Sequence, residues 1–175
     1  MVFEIQAHGA SSRLALRSLR AARPSVLVVP HAESVFPLAE ALDLAGDTPV
    51  VVEASAVEPR AFAQALAPFL PRVSLRSFDE RILAEARRLH PNLETTLLFD
   101  QPLRLATAAG TIGPRRDLVT RELVEAAHSV GLRIVPWTVD DPCEMLELID
   151  LGVDGLVTAR PTLLRTLVSP RAAAA

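Results

Sequence analysis

Proton transfer near neutral pH, cation binding and phosphate recognition each need particular side chains, and this sequence is sparing with all of them. It has four histidines, His8, His31, His90 and His128, the residue type suited to moving protons at physiological pH. All 18 basic residues are arginine, which removes Schiff-base and lysine general-base chemistry. The one cysteine, Cys143, excludes an intramolecular disulfide and a cysteine-rich metal site. Glu53 interrupts the apolar run PVVVEAS, where an uncompensated carboxylate is expensive; it calls for an arginine, a metal or a raised pKa. Arg76, in VSLRSF, is a candidate partner, because its planar fork matches a carboxylate or a phosphate. Its alternation with Ser74 and Phe78 leaves open which way it faces.

Short β-branched runs alternate with helical patterns along the chain and must position these groups. Strands are predicted at 3–8, 25–31, 49–55, 73–78, 94–99, 110–113, 133–139 and 154–159, the sixth being the weakest. Helices are predicted at 14–22, 37–45, 59–70, 79–89, 102–109, 120–130, 142–151 and 161–168. Their starts are punctuated: Asp141-Pro142-Cys143-Glu144 reads as an N-cap acid, a first-turn proline and a capping-box glutamate, and Pro37, Pro59 and Pro161 stand at similar positions. Gly46, Gly131 and Gly152 fall where C-caps belong. Eight strand–helix pairs in 175 residues give roughly 22 residues per unit. Strands separated by helices imply a parallel sheet, and eight of them imply closure into a compact (β/α)8 barrel with short loops; an open doubly wound sheet is the rival architecture. One domain over residues 1–170 is expected, with 171–175 as a disordered tail.

In such a barrel the chemistry lies at the C-terminal strand ends. Those ends carry His8, His31, Glu33, Glu53, Ser55, Arg76, Ser77, Phe78, Asp100, Trp137, Asp140 and Arg160. Alternation on the first strand turns Glu4, Gln6 and His8 toward the barrel interior, and Glu53 shares a face with Val51 and Ser55. A formal net charge of −3 gives no footprint for nucleic acid or an anionic membrane surface. Neither a signal peptide nor an apolar run of about 18 residues is present, so the expectation is a soluble cytoplasmic protein. A barrel with such short loops is also expected to cover apolar helix faces by forming a homodimer. His90 and His128 fall on helices and read as surface residues, and Cys143 reads as structural.

The segments VSLRSFDERILAEARRLHP and LVTRELVEAAHSVGLRIVPWTVDDPCEMLELIDLGVDGLVTARP resemble the glycerophosphodiester phosphodiesterase family, a TIM-barrel family. They match its fourth strand and helix, where a Ser-Phe pair ends the strand, and its sixth helix through eighth strand, with Trp-Thr-Val-Asn and Gly-Val-Asp-Gly signatures. The first half departs further. AHGAS keeps the His and Gly of the family's His-Arg-Gly but not its Arg, and SSRL lacks the Pro-Glu-Asn-Thr segment. Val29 and His31 stand where the family has a metal-binding Glu-x-Asp pair. The excursion bearing a second catalytic His is deleted, Ser55 replaces a Lys after Glu53, and Ala159 replaces an acid in TARP.

The resemblance implies metal-assisted hydrolysis of a glycerophosphodiester to glycerol 3-phosphate and an alcohol. It implies a divalent cation, Mg²⁺ or Ca²⁺, wanting several oxygen ligands, and two proton carriers. On this reading His8 and His31 are the catalytic candidates, Glu53 and Glu33 the metal ligands, and Arg76, Ser77 and Trp137 the substrate contacts, Trp137 as an aromatic wall for the glycerol. The ligand is a small phosphodiester or phosphate. Each residue has a plainer reading: a strand-end histidine also caps or hydrogen-bonds, Glu33 also reads as a solvated loop carboxylate, and Trp137 also reads as core. The missing positions leave a second function open, a catalytically inactive barrel that binds a phosphate-bearing ligand or a protein partner. A cation on Glu53 beside His8 would favour the enzyme, and Arg76 on Glu53 the binding barrel.

Overall fold

The computed structural model describes residues 4–7, 21, 24–30, 38–102 and 107–172. Within them the eight predicted strands form: β1 Glu4–Ala7, β2 Val26–Pro30, β3 Val50–Glu53, β4 Val73–Ser77, β5 Thr95–Phe99, β6 Thr111–Pro114, β7 Arg133–Ile134 and β8 Gly155–Thr158. All neighbouring pairs are parallel, in the order β7-β6-β5-β4-β3-β2-β1-β8. Closure comes from backbone bonds between the β7 segment and β8: Asp154 N–H donates to Ile134 O at 2.9 Å, Val157 N–H to Pro136 O at 2.9 Å and Val139 N–H to Val157 O at 2.9 Å. The sheet thus returns on itself as a barrel, and the open-sheet rival is set aside.

Residue parity explains the layers. Leu27, Val29, Val50, Val52, Val73, Leu75 and Leu97 occupy one face of their strands and pack outward against the helices. The opposite parity, Val28, Val51, Val135 and Val157 with Val26 and Trp137, fills the barrel interior. Gln6 is buried as its parity predicts, and its amide donates to Glu4 Oε1 at 2.6 Å. Glu4 also accepts from Arg133, a paired charge at the N-terminal end of the barrel. Gly155 is required by close approach: a Cβ there would lie 2.5 Å from the Glu4 carbonyl oxygen on the neighbouring strand.

Helices cover the outside: α1 Leu38–Ala45, α2 Pro59–Leu66, α3 Glu80–Leu89, α4 Arg121–Ser129, α5 Pro142–Leu151 and α6 Pro161–Ala172. Local chemistry sets their ends. Asp141 accepts from Cys143 N–H at 2.8 Å and Glu144 N–H at 3.0 Å, with Pro142 in the first turn, and Gly152 ends the helix at φ 91°. Glu58, Asp79 and Thr120 cap α2, α3 and α4 through their side chains.

Four expectations change. The helix predicted at 59–70 tightens into a 3₁₀ turn at Ala67–Phe69, where Pro68 has no N–H to give an α-helical ladder. The strand predicted at 133–139 shortens because Pro136 cannot donate, although Val135 N–H and Trp137 N–H still reach Ile112 O and Pro114 O on β6. Thr107–Gly110 enter β6 without helical turns, so the end of the helix predicted at 102–109 is absent, while 103–106 lie outside the described residues. α6 runs through Ala172, taking in the first two residues of the expected tail. The helix predicted at 14–22 lies outside the described residues except for Ala21, which is helical. Among the described residues the exposed large hydrophobics are Phe78 and Val130, and no helix is long and apolar enough to cross a membrane.

Candidate active site at the barrel mouth

The mouth is built from the C-terminal ends of β3, β4 and the β7 segment. On β3, Val50 to Val52 are buried, and Glu53 continues the inward parity of Val51 to the rim. The parallel register sets Glu53 directly beside Arg76 of β4, and both side chains leave the same face of the sheet. Arg76 Nε donates to Glu53 Oε2 at 2.9 Å, and Arg76 Nη2 donates to the same oxygen. The neighbouring strand therefore settles Arg76's direction, which its own alternation left open.

This pair is asymmetric. The Arg76 side chain is 4% exposed and that of Glu53 is 30% exposed. Burial pushes the Arg76 guanidinium below its ordinary value, and the charge and hydrogen bonds of Glu53 work against that shift. The third guanidinium nitrogen, Nη1, is buried and has no hydrogen-bond partner among the described residues. Buried charged donors are rarely left this way.

Ser77 was expected at the substrate. It is fully buried, and its hydroxyl donates to Ala54 O at 2.7 Å and accepts from Asp79 N–H at 3.0 Å. That hydroxyl ties the end of β4 to the end of β3 and to the cap of α3, so it holds the Glu53–Arg76 register rather than facing the mouth. Phe78, one residue on, is exposed and meets Trp137 edge to face, with centroids 5.4 Å apart and planes at 86°. Trp137 is anchored by Nε1 donating to Gly113 O at 2.7 Å. Together they form an aromatic wall.

Asp140 joins the exits of the β7 segment and β8. Its Oδ1 accepts from Thr158 Oγ1 and Ala159 N–H, each at 2.8 Å, and its carbonyl accepts from Arg160 Nη1 at 3.1 Å. His8, His31 and Glu33 lie outside the described residues. The structure thus brings Glu53 and Arg76 together, sets Trp137 against Phe78, and turns Ser77 into the strand layer.

Two roles escaped the sequence reading. Phe78 reads from the sequence only as a strand-end residue, and the Ser-Phe pair is the signal for its place in the wall. Asp154, inside GVDG, is buried; its Oδ2 accepts from Ile134 N–H at 2.8 Å and lies 3.0 Å from His128 Nε2. His128 is exposed, as its surface reading has it, and it also braces α4 to the barrel floor through Asp154. His90, also read as surface, is partly buried, with Nε2 2.8 Å from Ala63 O.

The described residues do not fit a divalent cation. Among them no three His, Cys, Asp or Glu side chains converge as a metal-binding group, and both N–H bonds from Arg76 fall on one oxygen of Glu53, the expected ligand. A cleft of about 710 Å³ opens at the other end of the barrel, among Glu4, Val26, Leu70, Arg72, His90 and Glu94. It is framed by strand starts, whereas barrel chemistry is built at strand ends.

The sequence profile of the glycerophosphoryl diester phosphodiesterase family matches residues 60–163, from α2 to the start of α6. A glycerophosphodiester phosphodiesterase of Caldanaerobacter subterraneus subsp. tengcongensis is 33% identical over 106 residues, covering 57% of this chain and 44% of the relative, so this chain spans less than half that protein's length. Among solved structures, a glycerophosphodiester phosphodiesterase from Parabacteroides distasonis superposes with a TM-score of 0.81 at 18% identity, covering 97% of this chain and 98% of that one. An Oleispira antarctica phosphodiesterase in complex with the product sn-glycerol-3-phosphate gives 0.80 at 13% identity, covering 95% and 96%. The profile spans well over half of the residues, and its stretch carries both the Ser-Phe and the Trp-Thr-Val signatures; this chain belongs to the glycerophosphoryl diester phosphodiesterase family.

Proposed function

We propose that the barrel mouth takes a small glycerophosphodiester and that the chain hydrolyses it to glycerol 3-phosphate and an alcohol. The observation that carries this reading is Arg76 with an unbonded Nη1 at the same end of the barrel as the Phe78–Trp137 wall. A guanidinium suits the phosphate anion, and two aromatic edges suit the carbon face of a glycerol. Water adds to phosphorus, the bond from phosphorus to the alcohol oxygen breaks, and a proton passes from the attacking water to the departing alkoxide. His8 is the proton carrier in this proposal, with His31 as the second. Glu53 holds Arg76 in place, and Ser77 fixes the strands that carry the two. The free thiol of Cys143 supports a reducing compartment, the cytoplasm in this reading.

A second reading, a barrel that binds the phosphate ligand without turnover, is favoured by one observation: Glu53 is held by Arg76. The deciding experiment incubates the chain with glycerophosphocholine, with and without Mg²⁺, Ca²⁺ or Mn²⁺, and measures glycerol 3-phosphate released. Turnover that falls by about 10² or more in His8→Ala supports the hydrolase, by the usual worth of a general acid or base. Glycerol 3-phosphate binding without turnover under any of these conditions selects the second reading.

A further inference from the structure

We propose that Arg76 stands in for a divalent cation: Glu53 is its counter-ion and not a metal ligand, and the guanidinium holds a phosphate-bearing ligand without metal. The inference rests on the phosphodiester site proposed above and deepens it.

Three observations carry it. First, the β3–β4 register fixes the pair, since Glu53 and Arg76 are directly opposed on adjacent strands and Ser77 locks the strand ends beside them. Second, the guanidinium's Nε–Nη2 edge is spent on a single carboxylate oxygen. A hard cation wants several oxygen donors, and at Glu53 it would meet a fixed like charge on a guanidinium that is itself buried. Swinging Arg76 aside to admit the cation would strand a buried charge without its partner. Third, the guanidinium has one nitrogen left over. Nη1 is buried and unbonded among the described residues, whereas an oxyanion placed there would give it an acceptor and a negative charge. The guanidinium would then be bonded on two sides, by Glu53 and by phosphate. The atom is covered in this structure, so anion binding uncovers it.

The same reasoning accounts for the sequence departure beside the pair. A site whose positive charge is a permanently ionised arginine has no use for the lysine that Ser55 replaces.

The test needs no variant at first. The wild-type chain is titrated with sn-glycerol 3-phosphate by calorimetry in EDTA and again with Mg²⁺ or Ca²⁺, and Mn²⁺ binding is followed separately by electron paramagnetic resonance. The expected result is binding in EDTA, changed less than about threefold by either cation, and no Mn²⁺ signal change that depends on Glu53. Arg76→Met, with folding checked by circular dichroism, should weaken binding by about tenfold or more, the loss of one charge-assisted contact. Binding that appears only with a divalent cation overturns the proposal. So does Mn²⁺ binding to wild type that is lost in Glu53→Gln. If sn-glycerol 3-phosphate binds under no condition, the phosphodiester reading fails with the ligand half of this one, and Mn²⁺ alone then decides the role of Glu53.

Discussion

Removing Glu53 should destabilise this protein more than removing Arg76, and the two losses should not add. The cause is the difference in burial across one ion pair. Arg76 is 4% exposed on its side chain, and its partner carboxylate is 30% exposed. Glu53→Ala leaves a cation in the barrel that water reaches poorly. Breaking a buried pair from one side costs about 3–5 kcal/mol, and the partial exposure of Glu53 places this case near 3 kcal/mol. For a domain of this size each kcal/mol lowers Tm by about 2–4 °C, so Glu53→Ala should melt about 6–12 °C below wild type. Arg76→Met leaves a carboxylate that can turn to solvent, and should cost about half as much. The double variant has no stranded charge and should regain stability relative to Glu53→Ala. The measurement is urea and thermal unfolding of all four proteins, followed by far-ultraviolet circular dichroism and by the fluorescence of the single tryptophan, Trp137. A Glu53→Ala loss below about 1 kcal/mol, or a double variant less stable than Glu53→Ala, would refute the reasoning, because either would place Arg76 in contact with water.

Two further predictions concern the barrel wall and floor. Gly155→Ala should cost more than Gly113→Ala in thermal unfolding, by at least about 1 kcal/mol: the first Cβ meets the Glu4 carbonyl oxygen at 2.5 Å, and the second meets the movable Leu98 Cδ2 at 2.7 Å. Equal midpoints would show that β1 gives way freely. Asp154→Ala orphans the Ile134 N–H and frees His128, and should cost about 1–3 kcal/mol while leaving sn-glycerol 3-phosphate affinity unchanged, since it acts at the end of the barrel away from the mouth. A selective loss of affinity in calorimetry would place Asp154 in the site instead.

Much of the architecture was legible in the residues. Alternation of β-branched runs with helical patterns located all eight strands, including the weak one at Thr111–Pro114, because strand parity and helix period leave different marks on a one-dimensional string. Asp141-Pro142 and Gly152 marked the two ends of α5 because caps are made by residues adjacent in sequence. That Glu53 needed a partner also followed from its apolar surroundings alone. Which partner it took did not. Arg76 is 23 residues away, and its side chain meets Glu53 because the β3–β4 register aligns the two strands. The same holds for Ser77, whose hydroxyl donates to the Ala54 carbonyl just past β3, and for His128, a surface residue that the fold sets against buried Asp154. The sequence by itself determined the repeated strand–helix unit and the demand for charge compensation at Glu53. Tertiary structure decided that an arginine meets that demand, because hydrogen bonds between distant segments depend on strand register, which one strand's sequence pattern does not encode.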